Sequence, residues 1–168
     1  MKGHQYADLI AAYVTRNYAA RGIVVYREVP IGKSIIGKNR RVDVLVVQPA
    51  SNHALAIECK VQQSQGTADE KIPYTLQDLV ALRMPGCLAY AGEGFSDGVL
   101  HMLRGSEVAA YCLPEPPALV PGSATRELDH VLALEFRWWD LLVEGRQPFD
   151  PRHWAALGGK FSNPDPSC

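Results

Sequence analysis

One carboxylate stands among aliphatics in the run Val42-Asp43-Val44-Leu45-Val46-Val47, and fourteen residues separate it from Glu58-Cys59-Lys60, an acid and a base two apart within the apolar run from Ala54 to Val61. Alternate side chains of a strand share a face, so Glu58 and Lys60 fall on one face and Ile57, Cys59 and Val61 on the other. Charges in such surroundings are costly unless they are paired or bind something. The intervening Pro49-Ala50-Ser51-Asn52-His53 has turn composition and joins the two runs as a hairpin. With that turn centred near Ser51, facing residues sum to about 102, which sets Asp43 across from Cys59, give or take one residue. Two acids converging there repel each other and favour a divalent cation between them. Oxygen-only donors select Mg2+ or Mn2+ over zinc, and Asp43, Glu58 and the Cys59 carbonyl are the expected ligands. Such an ion polarises a phosphoryl oxygen and lowers the pKa of a bound water. Lys60, on the same face, is placed to orient that water or to neutralise the charge that develops on phosphorus. The bland alternative is a solvated Glu58–Lys60 ion pair on an exposed sheet with Asp43 at the surface; the apolar flanks and the one-hairpin spacing weigh against it.

The elements that must position these groups follow from periodicity. Tyr6, Leu9, Ile10, Tyr13, Val14 and Tyr18 recur at helical spacing over 4–21, and Gly22 stops that helix. β-Branched and aromatic residues predict strands over 23–29, 41–48 and 54–61. Thr67 and Glu70 have capping-box spacing, but Pro73 would remove a ladder bond from a continuous helix, so the helix starts either at Thr67 or at Pro73 and runs over 74–84. A strand over 87–91, a short helix over 97–104 and a strand over 107–113 complete the alternation. The early strands are hairpin-joined and antiparallel, and the helix-separated ones parallel. The result is an α/β fold in αβββαβ order, a mixed sheet flanked by helices. From Pro114 the proline-rich PEPPALVPGS reads as a linker. A continuous helix is expected over 124–143, then a short helix after Asp150 and a frayed end. The division is therefore 1–113 as the core and 114–168 as a linker and C-terminal helical extension packed on the core or on a dimer partner.

The order helix, strand, Asp-bearing strand, Glu-x-Lys strand, helix, strand resembles the PD-(D/E)XK nuclease superfamily, the restriction-endonuclease-like fold, over roughly residues 4–113. Val42 stands where the motif's name has proline. The resemblance implies Mg2+-dependent phosphodiester hydrolysis with Asp43 and Glu58 as metal ligands and Lys60 catalytic. It also implies a role for Glu28, since relatives often place a third acid upstream, and for Lys71 and Tyr74, which match a stretch near the active-site rim of some relatives. Gln62 shares the face of Glu58 and Lys60 and is a candidate contact to the scissile phosphate. Lys33, Lys38, Arg40 and Arg41 flank the Asp43 strand and are read as phosphate contacts.

Composition narrows the rest. The 168-residue chain carries a net charge of −1, so any nucleic-acid binding must come from local basic clusters rather than from the whole surface. No apolar stretch is long enough for a membrane span, and the N-terminus lacks a signal-peptide pattern, which predicts a cytoplasmic location. The cysteines form no CxxC pair and are expected as buried thiols. His4, His53, His101, His130 and His153 lack ligand spacing, and Trp138 and Trp139 are assigned to the core or an interface. The expected partner is DNA, taken as duplex, cut by a homodimer whose surface is the 124–143 helix. A catalytically inactive nucleic-acid-binding module of the same fold and a structural oligomerisation domain are the competing readings.

Overall fold

A computed structural model describes residues 1–64, 68–156 and 158. Helix α1 (Gly3–Tyr18) leads through a 3-10 turn, Ala19–Arg21, to β1 (Val24–Lys33), β2 (Asn39–Gln48) and β3 (His53–Val61). Then come α2 (Ala68–Val80), β4 (Gly86–Ala91), α3 (Asp97–Arg104), β5 (Ala109–Tyr111), α4 (Arg126–Glu135), α5 (Trp139–Leu142) and α6 (Pro151–Ala156). The strands form one sheet in the order β1-β2-β3-β4-β5. β1, β2 and β3 pair antiparallel, while β3, β4 and β5 pair parallel. This is the mixed, helix-flanked α/β sheet expected from the pattern.

Strand alternation divides the apolar residues between two cores. Val44, Val46, Leu55, Ile57, Cys59, Cys87 and Ala89 pack against α1 and α4. Leu88 and Tyr90 face the other way, against Ile72, Leu76 and Leu79 of α2 and Val99 and Leu103 of α3. Cys59, Cys87 and Cys112 are buried free thiols, as expected; Cys168 lies outside the described residues. No described helix is long and apolar enough to cross a membrane.

Three elements depart from the sequence pattern. The helix expected over 124–143 breaks after Glu135, where Arg137 adopts a positive φ of 59°. Residues two apart on a helix point about 200° away from each other. The break lets Phe136 and Trp138 both turn inward and stack, with ring centroids 5.1 Å apart, while Trp138 stacks on Tyr18 at 5.3 Å. Residues after Pro114 therefore complete the α1-side core, through Leu128, Leu132, Phe136 and Trp138. Asp129 fixes α4 to α1 by accepting the hydroxyls of Tyr13 at 2.6 Å and Tyr18 at 2.7 Å.

Second, α2 starts at Ala68, close to the earlier of the two expected starts, and runs through Pro73, but it ends at Val80 instead of reaching residue 84. Its first turn is held from outside. Asp69 accepts from Gln62 Nε2 at 3.0 Å and from the Ser96 amide at 3.0 Å, bonds that hold its carboxyl below the usual range. Thr67 of the supposed capping box lies outside the described residues. Third, the strand expected over 107–113 shortens to the three residues of β5.

Candidate active site

The acid pair is built where two strands part. The β2–β3 ladder runs from Gln48↔His53 to Val44↔Ile57 and stops. One more step in that register sets Asp43 across from Glu58, one residue from the Cys59 partner expected from the turn. The ladder bond that would come next is replaced by a side chain: Asp43 Oδ2 accepts the Cys59 amide at 2.8 Å. The Asp43 and Glu58 carboxyls meet within hydrogen-bonding reach. Lys60 Nζ lies 3.6 Å from Glu58 Oε2. The three side chains share one face of the sheet, and Glu58 is only 18% exposed.

The electrostatics follow from that geometry. Burial pushes the Glu58 carboxyl up, Lys60 pulls it down, Asp43 pushes it up again, and it settles at about 7. Two facing carboxylates that resist simultaneous ionisation require either a shared proton or a cation. A hard divalent ion fits this donor set. The Cys59 carbonyl adds a third oxygen by backbone parity. Ala56 and Gln62 donate their amides towards β4, to Pro85 and Ala91, so the odd-numbered residues of β3 direct theirs towards β2. Beyond Val44↔Ile57 the Cys59 carbonyl therefore opens into the gap that Asp43 enters.

Asp43 is also held from behind. Arg27 donates Nη1 to the Asp43 carbonyl and pairs through Nε with Asp8 of α1 at 2.9 Å. Arg27 stands in the strand run Ile23 to Val29 between Tyr26 and Glu28, so it lacks the all-aliphatic flanks that singled out Asp43, and no sequence signal marks its role.

The remaining expected site residues scatter. Glu28 is bracketed by the rungs Arg27↔Val44 and Val29↔Val42, across from Asp43, but its φ of 55° takes it out of the ladder. It pairs with Arg41 at 3.3 Å, and both side chains are exposed. Among the described residues no group of three His, Cys, Asp or Glu side chains is placed to hold a metal ion, so Glu28 is not drawn into the acid pair. Gln62 is buried. Its amide nitrogen donates to Asp69 at 3.0 Å and to the Gly94 carbonyl at 2.7 Å, and since both partners are acceptors the amide cannot be flipped. It has no donor left for a phosphate and instead ties β3 to the start of α2. Lys71 is exposed and Tyr74 half-buried on α2.

Among the basic residues Lys38 and Arg41 are exposed, and Lys33 is exposed with Nζ 2.7 Å from Asn39 Oδ1. Arg40 is withdrawn from the phosphate contacts. It is 8% exposed, pairs with the Asp78 carboxylate of α2 and donates to the Asp78 carbonyl at 2.8 Å. Asp78 also accepts the Ile35 amide at 2.8 Å, so this pair clamps the β1–β2 hairpin to α2. Removing one partner of a buried pair leaves the other charge uncompensated. Arg40→Ala is thus expected to cost about 3 kcal/mol of stability in urea titrations. Lys38→Ala should leave stability unchanged; an Arg40→Ala protein as stable as wild type would show that the pair does not hold the hairpin.

A family model described as PD-(D/E)XK nuclease superfamily domain matches residues 2–139. The chain belongs to the PD-(D/E)XK nuclease superfamily. In this PD-(D/E)XK chain Asp43 and Glu58-Cys59-Lys60 are the residues expected to form the signature, with Val42 before the aspartate. The match extends past Pro114 through α4, as the shared core does. Among solved structures, a repair endonuclease from Pyrococcus abyssi matches with 20% identity and a TM-score of 0.39, over 66% of this chain and 47% of that one. The MspJI restriction endonuclease in complex with a 27-mer oligonucleotide matches with 15% identity and a TM-score of 0.33, over 92% of this chain and 36% of that one. The chain thus spans less than half the length of either enzyme. A search of curated proteins finds no match to it.

Proposed function

We propose that this PD-(D/E)XK domain hydrolyses DNA phosphodiester bonds with Mg2+ or Mn2+ bound by Asp43, Glu58 and the Cys59 carbonyl. The observation that carries the reading is the meeting of two carboxyls and one ammonium on a single face, at the one place where β2 and β3 separate. When bound, the ion supplies Lewis acidity toward a phosphoryl oxygen and a more acidic water. The chain's own residues do the rest. Asp43 is fixed by the Cys59 amide and by Arg27, so its carboxylate needs no reorganisation. Lys60 presents positive charge beside Glu58, where negative charge grows on the phosphoryl oxygens. Lys33, Lys38 and Arg41, at the hairpin end of the same two strands, supply cations for the DNA backbone.

The test is purified protein incubated with plasmid, linear and branched DNA, and with RNA, with and without Mg2+. Asp43→Asn and Lys60→Ala are each expected to slow cleavage by a factor on the order of 100 or more while the fold melts normally. Full activity in both variants would remove the site. A single cluster cuts one strand at a time, so linear plasmid formed without a nicked intermediate would mark a homodimer. Leu134, Trp139 and Val143 leave apolar surface exposed for such a contact on α4 and after it.

A further inference from the structure

The site face of the sheet is covered unevenly. α2 and α3 close it over β4 and β5, where Leu88 and Tyr90 join their core. Among the described residues none from β1 or β2 belongs to that core. Register and alternation place Val24 and Tyr26 of β1 and Leu45 and Val47 of β2 on the face that carries Asp43 and Glu58. Tyr26 sits directly across from Leu45, and Val24 across from Val47. Val24 is 42% exposed and Tyr26 48%, although Val44 and Val46, on the opposite face of β2, are completely buried.

This apolar stripe has a definite position relative to the charges. Along β1 and β2 the cations Lys33, Lys38 and Arg41 stand at the hairpin end, the acid pair in the middle, and Tyr26 with its aliphatic neighbours on the far side. Leu45 lies two residues beyond Asp43, about 7 Å along the strand, a spacing on the scale of one nucleotide. A duplex passing over the stripe would present phosphates, and these four side chains offer no cation to meet them. Base faces are what a tyrosine ring backed by aliphatics recognises, and they are free only where a nucleotide is unpaired or turned out of the helix. A second protein seated on the stripe would also cover the adjoining acid pair, so the face suits the substrate better than a partner chain.

We infer that Val24, Tyr26, Leu45 and Val47 form a stacking platform for an unpaired base next to the scissile phosphate, with Tyr26 as its principal contact. The inference rests on the reading of this domain as a DNA nuclease. It narrows the substrate from the duplex expected on sequence to a strand carrying unpaired nucleotides at the cut: single-stranded, flapped or branched DNA.

The experiment uses the full chain, one oligonucleotide as a free strand and the same strand in a perfect duplex, with Mg2+. Cleavage is measured for wild type, Tyr26→Ala and Tyr26→Trp. Binding is measured by fluorescence anisotropy in the Glu58→Gln background. The free strand is expected to be cut faster than the duplex. Tyr26→Ala should weaken free-strand binding and raise KM roughly ten-fold, with kcat and the melting temperature little changed, and Tyr26→Trp should restore both. Unchanged binding in Tyr26→Ala, or a preference for the perfect duplex, overturns the platform and leaves the nuclease reading standing. Binding that depends on Tyr26 without cleavage of any substrate supports the platform and sinks the hydrolytic reading. Absence of both binding and cleavage overturns the two together. A wild-type dimer that Tyr26→Ala converts to monomer, with free-strand affinity unchanged, would make the stripe a contact between copies and overturn the platform.

Discussion

Glu58→Gln is expected to abolish Mg2+-supported cleavage and, in the same protein, to raise the melting temperature of the metal-free fold at pH 8. The carboxyl of Glu58 is lifted to about 7, chiefly by burial and, against the pull of Lys60, by Asp43. A raised carboxyl pKa means that the folded state holds its proton more tightly than the unfolded chain does. Below about pH 4, near the unfolded pKa, both states are protonated and nothing is lost. As pH rises towards 7 the unfolded chain ionises first, and stability falls. Above the folded pKa the full penalty is in place. Glutamine mimics the protonated form and can donate to Asp43 as that form does, so it removes a penalty of up to about 3 kcal/mol at pH 8 and little at pH 5. In a chain of this size the full penalty corresponds to roughly 6–12 °C. Bound Mg2+ removes the same repulsion in the wild type, so the ion should raise the wild-type midpoint and leave the variant's nearly unchanged. Calorimetric scans at pH 5 and pH 8, with and without Mg2+, read all four cases. A variant less stable than wild type at pH 8, or equal stabilisation of both proteins by Mg2+, would mean that the acids do not share a cation.

The second large effect is Gly92→Ala. Leaving β4, the chain crosses directly over the end of β3: Gln62 donates its amide to the Ala91 carbonyl at 3.1 Å, and the Gly94 amide donates to the Gln62 carbonyl at 2.9 Å. A Cβ on Gly92 would lie 2.1 Å from the Gln62 carbonyl oxygen, at a φ of 105° that side chains rarely adopt. The clash is with backbone, so relief requires moving one strand exit against the other. The expected loss is about 3 kcal/mol or more. Because Lys60 is two residues before Gln62, activity should also fall at temperatures where the variant is still folded. Gly98→Ala is the matched comparison. Gly98 is in α3 with nothing within 4 Å of a Cβ, so alanine there should gain about 0.5–1 kcal/mol of helix propensity. Urea midpoints for the pair decide it: equal, small shifts would show that the crossing is looser than its hydrogen bonds imply.

Several features were legible because they rest on short-range rules. Period two fixed which residues of β3 share a face, and the hairpin composition set the register to within one residue. The order of elements followed from alternating periods. Local rules failed where long-range contacts outbid them. Arg40 and Arg41 are adjacent and chemically alike, yet one is clamped inside by Asp78 and the other is exposed beside Glu28. No pattern within the hairpin distinguishes them, because Asp78 arrives from a helix 38 residues on. Glu28 left the site because one positive φ turned it out of the ladder. The 124–143 periodicity gave one helix, and the pull of Tyr18 on Trp138 made two.

The sequence by itself determined that Asp43, Glu58 and Lys60 would be neighbours, since a hairpin and the pleat of a strand are dictated within some twenty residues. Tertiary structure alone decided how they are held. The parting of β2 from β3, the brace of Arg27 between Asp43 and Asp8, and the half-exposed stripe beside Tyr26 depend on where α1 and α2 settle on the sheet. Those placements come from summed burial across the whole chain, an energy that no single segment carries.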